Sequence, residues 1–294
     1  MSSQNHLALA VSLWLLLLAG TTSAMAQPDT SFDTGCGDPP FNAIAKKHPI
    51  DDHCGIEGVT SPTDTGNQQQ NRLKNNFCLR DTPVVIKPAD LVTLQKKVDK
   101  LVGFKYGSGR SVPKDRTPLK DIGTSGGKTI GEGTLVTVVG YMVDPHYSDV
   151  KEGEGVNCKQ PGNEPNDIHF SISTGKVNLS ADKKAKQAQL CKLVTGEISP
   201  HFRPEDWEVA PLGRVGNVPV RLTGQLFFDA SHVPCRPNKP VNPARKSVWE
   251  IHPIYRMEVC KDTSQCRSTV DADWVPLDQW VHQQQDEDVG EPQD

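Results

Sequence analysis

The chain has 294 residues, only 35% of them hydrophobic and 6% aromatic, with 24 glycines and 23 prolines, the composition of a loop-rich fold with a modest core. A formal charge of −4 without a basic block excludes the electrostatic footprint of a nucleic-acid binder. The eight cysteines (Cys36, Cys54, Cys78, Cys158, Cys191, Cys235, Cys260 and Cys266) contain no Cys-x-x-Cys. They argue against a zinc ribbon and for disulfides formed in an oxidising compartment.

Residues 1–26 read as a cleavable secretory signal. The apolar run Leu7 to Ala19 is too short to span a bilayer comfortably, and Ala24-Met25-Ala26 supplies a small-x-small cleavage pattern. The n-region has no Lys or Arg, and an uncleaved anchor is the alternative reading. No later stretch is long and apolar enough to cross a membrane, so a periplasmic or secreted protein is expected.

Residues 27–130 read as a Cys-rich loop and helix region, expected to pack on a β-barrel formed by residues 131–261. Three cysteines precede residue 100 and five come after it, so full pairing ties this region to the rest by at least one bridge. Pro88 to Gly103 predicts a helix. Pro88 suits its start, Asp90 its first turn and Gly103 its end, with Leu91, Leu94, Val98, Leu101 and Val102 as the apolar stripe. Gly123-Thr124-Ser125-Gly126-Gly127 matches the Gly-x-Ser-x-Gly string of serine hydrolases but lacks the strand before it and the helix after it. Gly126-Gly127-Lys128-Thr129 lacks the first glycine of a phosphate loop. A flexible loop is expected there.

Over residues 131–261 the apolar period becomes two. Strands are predicted at Thr134–Val143, Asp167–Ser173, Leu193–Ser199, Val218–Asp229 and Val248–Cys260, with a helix at Ser180–Leu190 between the second and third. The fold class expected is mainly β with some α: an OB-like five-stranded β-barrel preceded by the Cys-rich region. The helix is displaced, since such barrels carry theirs between strands three and four. Residues 262–294 read as an acidic, largely disordered tail.

Histidines recur beside carboxylates in the barrel: Asp144 and His146, Asp167 and His169, Glu197 and His201, Asp229 and His232, Glu250 and His252. Residues two apart in a strand share a face, so Asp167 points with His169, and Glu250 with His252, away from the apolar face. Asp144, His146, Asp167, His169, Asp229, His232, Glu250 and His252 are therefore the candidate ligand-binding set. Within it His169, His252, Asp167 and Glu250 are the candidate ligands of a divalent transition metal such as zinc. Three readings stand together: a binding module for an unknown ligand, with Tyr141, Tyr147, Phe202 and Trp207 as candidate contacts; a metal-dependent hydrolase using the same cluster; and a structural protein whose histidines fasten loops.

Several words carry a resemblance: Lys74-Asn75-Asn76-Phe77-Cys78, Val156-Asn157-Cys158, Asn166-Asp167-Ile168-His169, Phe227-Phe228-Asp229-Ala230-Ser231-His232, and Ser247-Val248-Trp249-Glu250-Ile251-His252-Pro253-Ile254. They resemble a family of exported bacterial proteins with no assigned activity. The resemblance covers most of residues 50–260 and implies export and the barrel, but no function.

Overall fold

A computed structural model describes residues 48–55, 57–76, 81–107, 112–201, 203–204, 206–237 and 239–290. The expected signal segment, Cys36, Cys78 and Phe202 lie outside them. Helix α1, Thr65–Lys74, is capped by Asp64, whose side chain accepts from the Asn67 amide at 3.2 Å. A short strand β1, Val84–Ile86, leads into helix α2, Pro88–Val98. Pro88 occupies its first turn, Asp90 accepts from the Lys87 amide, and Leu91, Leu94 and Val98 are buried. The helix stops a turn before the expected end, and Gly103 completes the exit at φ 79°.

The serine-hydrolase look-alike is neither a flexible loop nor a nucleophile elbow. Strands β2, Gly123–Ser125, and β3, Lys128–Ile130, pair antiparallel as a hairpin around Gly126 and Gly127. Both turn glycines have positive φ, 55° and 78°, as a two-residue hairpin turn requires.

The barrel strands are β4, Leu135–Tyr147; β5, Ile168–Ser173; β6, Val194–Ile198; β7, Pro219–Phe228; and β8, Trp249–Cys260. Each predicted strand is present, with its ends unchanged or moved by up to four residues. Their order is β4-β5-β6-β8-β7, and β7 pairs back onto β4, so the sheet closes. Only β6 and β8 run parallel within this circuit. This is an OB-like five-stranded barrel. The predicted helix is there as α3, Lys183–Leu190, and the fold adds a second that the periodicity does not show. Helix α4, Val209–Arg214, lies between β6 and β7, where such barrels carry their helix, and buries Leu212.

Alternate residues fill the interior, among them Val138, Phe170, Ile172, Leu222 and Ile251. Each large side chain so buried contributes about 2 kcal/mol. Gly196 is required on β6, because a Cβ there would sit 2.8 Å from the ring of Phe170, its register partner on β5.

Residues after the barrel are not the loose tail expected. Strand β9, Trp274–Pro276, pairs with β8, and helix α5, Leu277–Gly290, buries Leu277 and Val281. Three disulfides join described cysteines: Cys54–Cys158, Cys191–Cys235 and Cys260–Cys266. The first ties the N-terminal region to the barrel, as the cysteine distribution required. Among the described residues no helix is long and apolar enough to cross a membrane.

Candidate metal-binding cleft

The outer face of the barrel carries the polar half of the alternation, yet much of it is buried. His169 on β5 pairs with Glu197 on β6, and Thr195 with Glu250 on β8. Asp167, Glu197, Glu250 and His252 are each no more than 1% exposed. Helix α1 covers this face with Gln69, Gln70 and Lys74, and the segment after β4 contributes Glu154 and Asn157. The result is a polar layer between the barrel and its N-terminal cover.

Glu197 is the centre of that layer. His252 Nδ1 lies 2.7 Å from its Oε2, Lys74 Nζ 3.4 Å from the same oxygen, and His169 Nε2 3.4 Å from Oε1. His169 Nε2 is also 3.3 Å from Glu154 Oε1. On the far side Arg245 Nη1 bonds Glu250 at 2.9 Å and Asp229 at 3.1 Å. Asp229 is bonded in turn by His232 and, at 3.5 Å, by Gln70. Asn157 donates to Asp167 Oδ1 at 3.1 Å.

Charge does not balance here. Five carboxylates (Glu154, Asp167, Glu197, Asp229 and Glu250) face three permanent cations, Lys74, Arg203 and Arg245. The surplus shows in the titration of the groups. Burial and the neighbouring Glu154 push Asp167 up to about 6. Burial, Glu197 and Asp229 hold Glu250 well above the carboxylate range. Burial also works against Glu197, but His169, Lys74 and His252 outweigh it and keep that carboxyl well below its ordinary value. Glu154 is likewise lowered, against burial, to about 2 by Lys74 and His169. His169 is raised despite burial, chiefly by Glu197.

Asp167 Oδ2, Glu250 Oε1, Asn157 Oδ1 and Arg245 Nε in this layer have no hydrogen-bond partner, and His169 Nε2 and Glu197 Oε1 have only long ionic contacts. Buried polar atoms without partners are uncommon and costly. Two candidate ligand sets take in Asp167, His169 and Glu197. Glu154, Asp167 and His169 form one, and Asp167, Glu197 and His252 the other, each with donor atoms within 4.8 Å of one another. Donors about 2.1 Å from a tetrahedral zinc lie about 3.4 Å apart, so small side-chain movements suffice to close either set. Mixed imidazole and carboxylate donors suit zinc and its transition-metal neighbours, whereas calcium and magnesium favour all-oxygen shells.

The first set opens outward. A cleft of about 740 Å³ has Lys74, Glu154 and His169 among its lining residues, with α1 forming one wall. A second cleft of about 360 Å³ adjoins it across His146 and His169.

The eight residues singled out in the sequence therefore divide. Asp167, His169, Glu250 and His252 do converge. In the ligand sets, however, Glu250 is replaced by Glu197 and Glu154, because Arg245 holds one Glu250 oxygen and leaves it 3.7 Å from His252. Asp229 and His232 form a pair at the edge, joined to the cluster through Arg245. His146 stands at the cleft with its ring 6.0 Å from that of His169. Asp144 pairs with Lys186 at 2.7 Å and lines the second cleft with it. Of the aromatic candidates only Tyr147 lines the larger cleft; Trp207 is buried in the core. Lys74, Glu154 and Arg245 join the site without any signal in the sequence pattern. Glu197 does not partner His201, its neighbour in sequence, which instead bonds Asp51. The signal for Glu197 lay in the period of β6, which sets Thr195 and Glu197 on one polar face.

The fold and site define an OB-like barrel with a covered His/carboxylate layer at a cleft. The chain matches no family model, no curated protein and no solved structure.

Proposed function

We propose that this is an exported, disulfide-stabilised binding module that holds its ligand in the larger cleft, over a divalent transition metal seated on Glu154, Asp167 and His169. Zinc fits this donor set best. The observation that carries the reading is the buried surplus of carboxylates beside Asp167 Oδ2, which lacks a hydrogen-bond partner, beneath an open cleft lined by Glu154 and His169. Three protein donors and an open side are the arrangement that leaves a coordination position for a ligand. Three disulfides suit an oxidising compartment and support export.

That open position also favours a second reading, a metal-assisted hydrolase, in which the ion would activate a bound water. The test common to both is metal content by mass spectrometry of the purified mature protein, for wild type, His169→Ala and His252→Ala. About one equivalent of zinc, lost in His169→Ala and retained in His252→Ala, is the expected result. A metal-free wild type that cannot be loaded sinks both metal readings. Loss in His252→Ala alone moves the ion to the inner set with Glu197.

A further inference from the structure

The smaller cleft has no part in the metal set beyond His169. It shares His146, His169, Asn242 and Pro243 with the larger one, so the two form a bent groove over the His146–His169 saddle. Its far wall is α3, which contributes Lys183, Lys186 and Gln187. No residue of α3 is buried. Core packing therefore does not explain why this helix is in place.

Other fastenings do. Asp182 caps its start, accepting from the Ala185 amide at 2.8 Å. The Cys191–Cys235 bridge clamps the chain directly after its last residue. Gln187 donates to the Val241 carbonyl at 3.1 Å, and Gln189 to that of Asn178 at 3.0 Å. A helix that buries nothing and is anchored at both ends is a rigid mount for the side chains it turns toward the groove. Asp144 neutralises Lys186, while Lys183 makes no ion pair among the described residues. The small cleft thus offers net positive charge.

The larger cleft has a different chemistry. Thr60, Ser61, Asn67, Asn71, Ser148 and Ser231 give it hydroxyl and amide walls, beside the carboxylates Asp64, Asp149 and Glu154 and the Lys74 ammonium, and among the described residues Tyr147 is the one phenyl or indole ring in its lining. Single-stranded nucleic acid needs several aromatic platforms for its bases, and a lipid or drug-like ligand needs apolar walls. Hydroxyls and amides match a polyhydroxylated chain. We infer that the ligand is an acidic oligosaccharide lying across both clefts, its hydroxyl groups on the walls of the larger and a carboxylate on Lys183 of the smaller. The inference rests on the proposal that the groove is the binding site, and it names the ligand class.

The test uses the full mature chain and a fluorescently labelled oligogalacturonide, read by polarisation. Competitors are a neutral cello-oligosaccharide, monomeric galacturonate and inorganic polyphosphate. The labelled oligomer should bind, resist the neutral chain and the monomer, and weaken as salt is raised. Lys183→Gln with Lys186→Gln should weaken binding about fivefold, as loss of the one unpaired exposed charge at Lys183 predicts, and should leave metal content unchanged. No binding of the oligogalacturonide overturns the inference. So does equal affinity for the neutral chain, unchanged binding by the double variant, or tighter binding of polyphosphate. Metal content of the same samples separates the two claims. A loaded protein that binds no acidic chain refutes only this inference, and a metal-free protein that binds it through the lysines refutes only the metal.

Discussion

Replacing Asp167 by asparagine tests the charge surplus directly. The side chain is 1% exposed, accepts from Asn157, and has its second oxygen unpartnered. An amide keeps the accepting oxygen and offers two donors to the neighbouring carboxylates. Burial, then Glu154, raises the Asp167 carboxyl from 3.8 to about 6 in the folded protein. A carboxyl raised on folding binds its proton more tightly in the native state. Ionising it therefore opposes folding fully above about pH 7 and not at all below about pH 4. A rise of about two pH units corresponds to ~3 kcal/mol. In chelator at pH 8, Asp167→Asn should be more stable than wild type by up to that amount, and near pH 4 the difference should vanish. With saturating zinc the order should shrink or invert, since a ligand at a hundred times its Kd adds about 2.7 kcal/mol to wild type alone. Urea denaturation with disulfides intact, at both pH values and with or without zinc, reads all four cases. A variant equally destabilised at pH 8 and pH 4 in chelator would refute the reasoning, because it would mean that Asp167 is ionised and satisfied without a metal.

The same layer yields two further predictions. Arg245→Met should cost about 3–5 kcal/mol in chemical denaturation, because Asp229 and Glu250 lose their shared buried cation; a loss under 1 kcal/mol would show that protons already neutralise them. Cys54→Ser with Cys158→Ser opens a bridge spanning 104 residues and should cost up to about 5 kcal/mol by chain entropy. It should also weaken zinc binding, since Glu154 lies four residues before Cys158; calorimetric titration giving wild-type zinc affinity would separate the bridge from the site.

Strand positions were legible because the barrel interior is apolar and its alternation is local. Ile168, Phe170 and Ile172 announce β5 without reference to any other strand. The pairs Asp167 with His169 and Glu250 with His252 were legible for the same reason, since two residues on one strand share a face whatever lies beside them. Which strand lies beside them is a property of register. Glu197 stands four residues from His201 in the chain, but pairing places it against His169 and leaves His201 to Asp51. Burial of the polar face was illegible for another reason. Its cover, α1, reads Thr-Gly-Asn-Gln-Gln-Gln-Asn-Arg-Leu-Lys, a sequence with no apolar stripe to show that it packs on anything. Helix α4 is only six residues long and contains Pro211 and Gly213, so no period could reveal it.

The cover is fixed at both its margins. Cys54 bonds Cys158 ahead of α1, and β1 adds parallel to β4 after it. Between these points the chain is a closed loop, so α1 can leave the barrel face without ever diffusing away. Its return is an intramolecular event at an effective concentration on the order of millimolar. Contacts that are individually weak in water, such as Gln70 to Asp229 or Lys74 to Glu197, therefore suffice to keep the layer shut. The covalent tether supplies the persistence that a hydrophobic interface would otherwise have to provide.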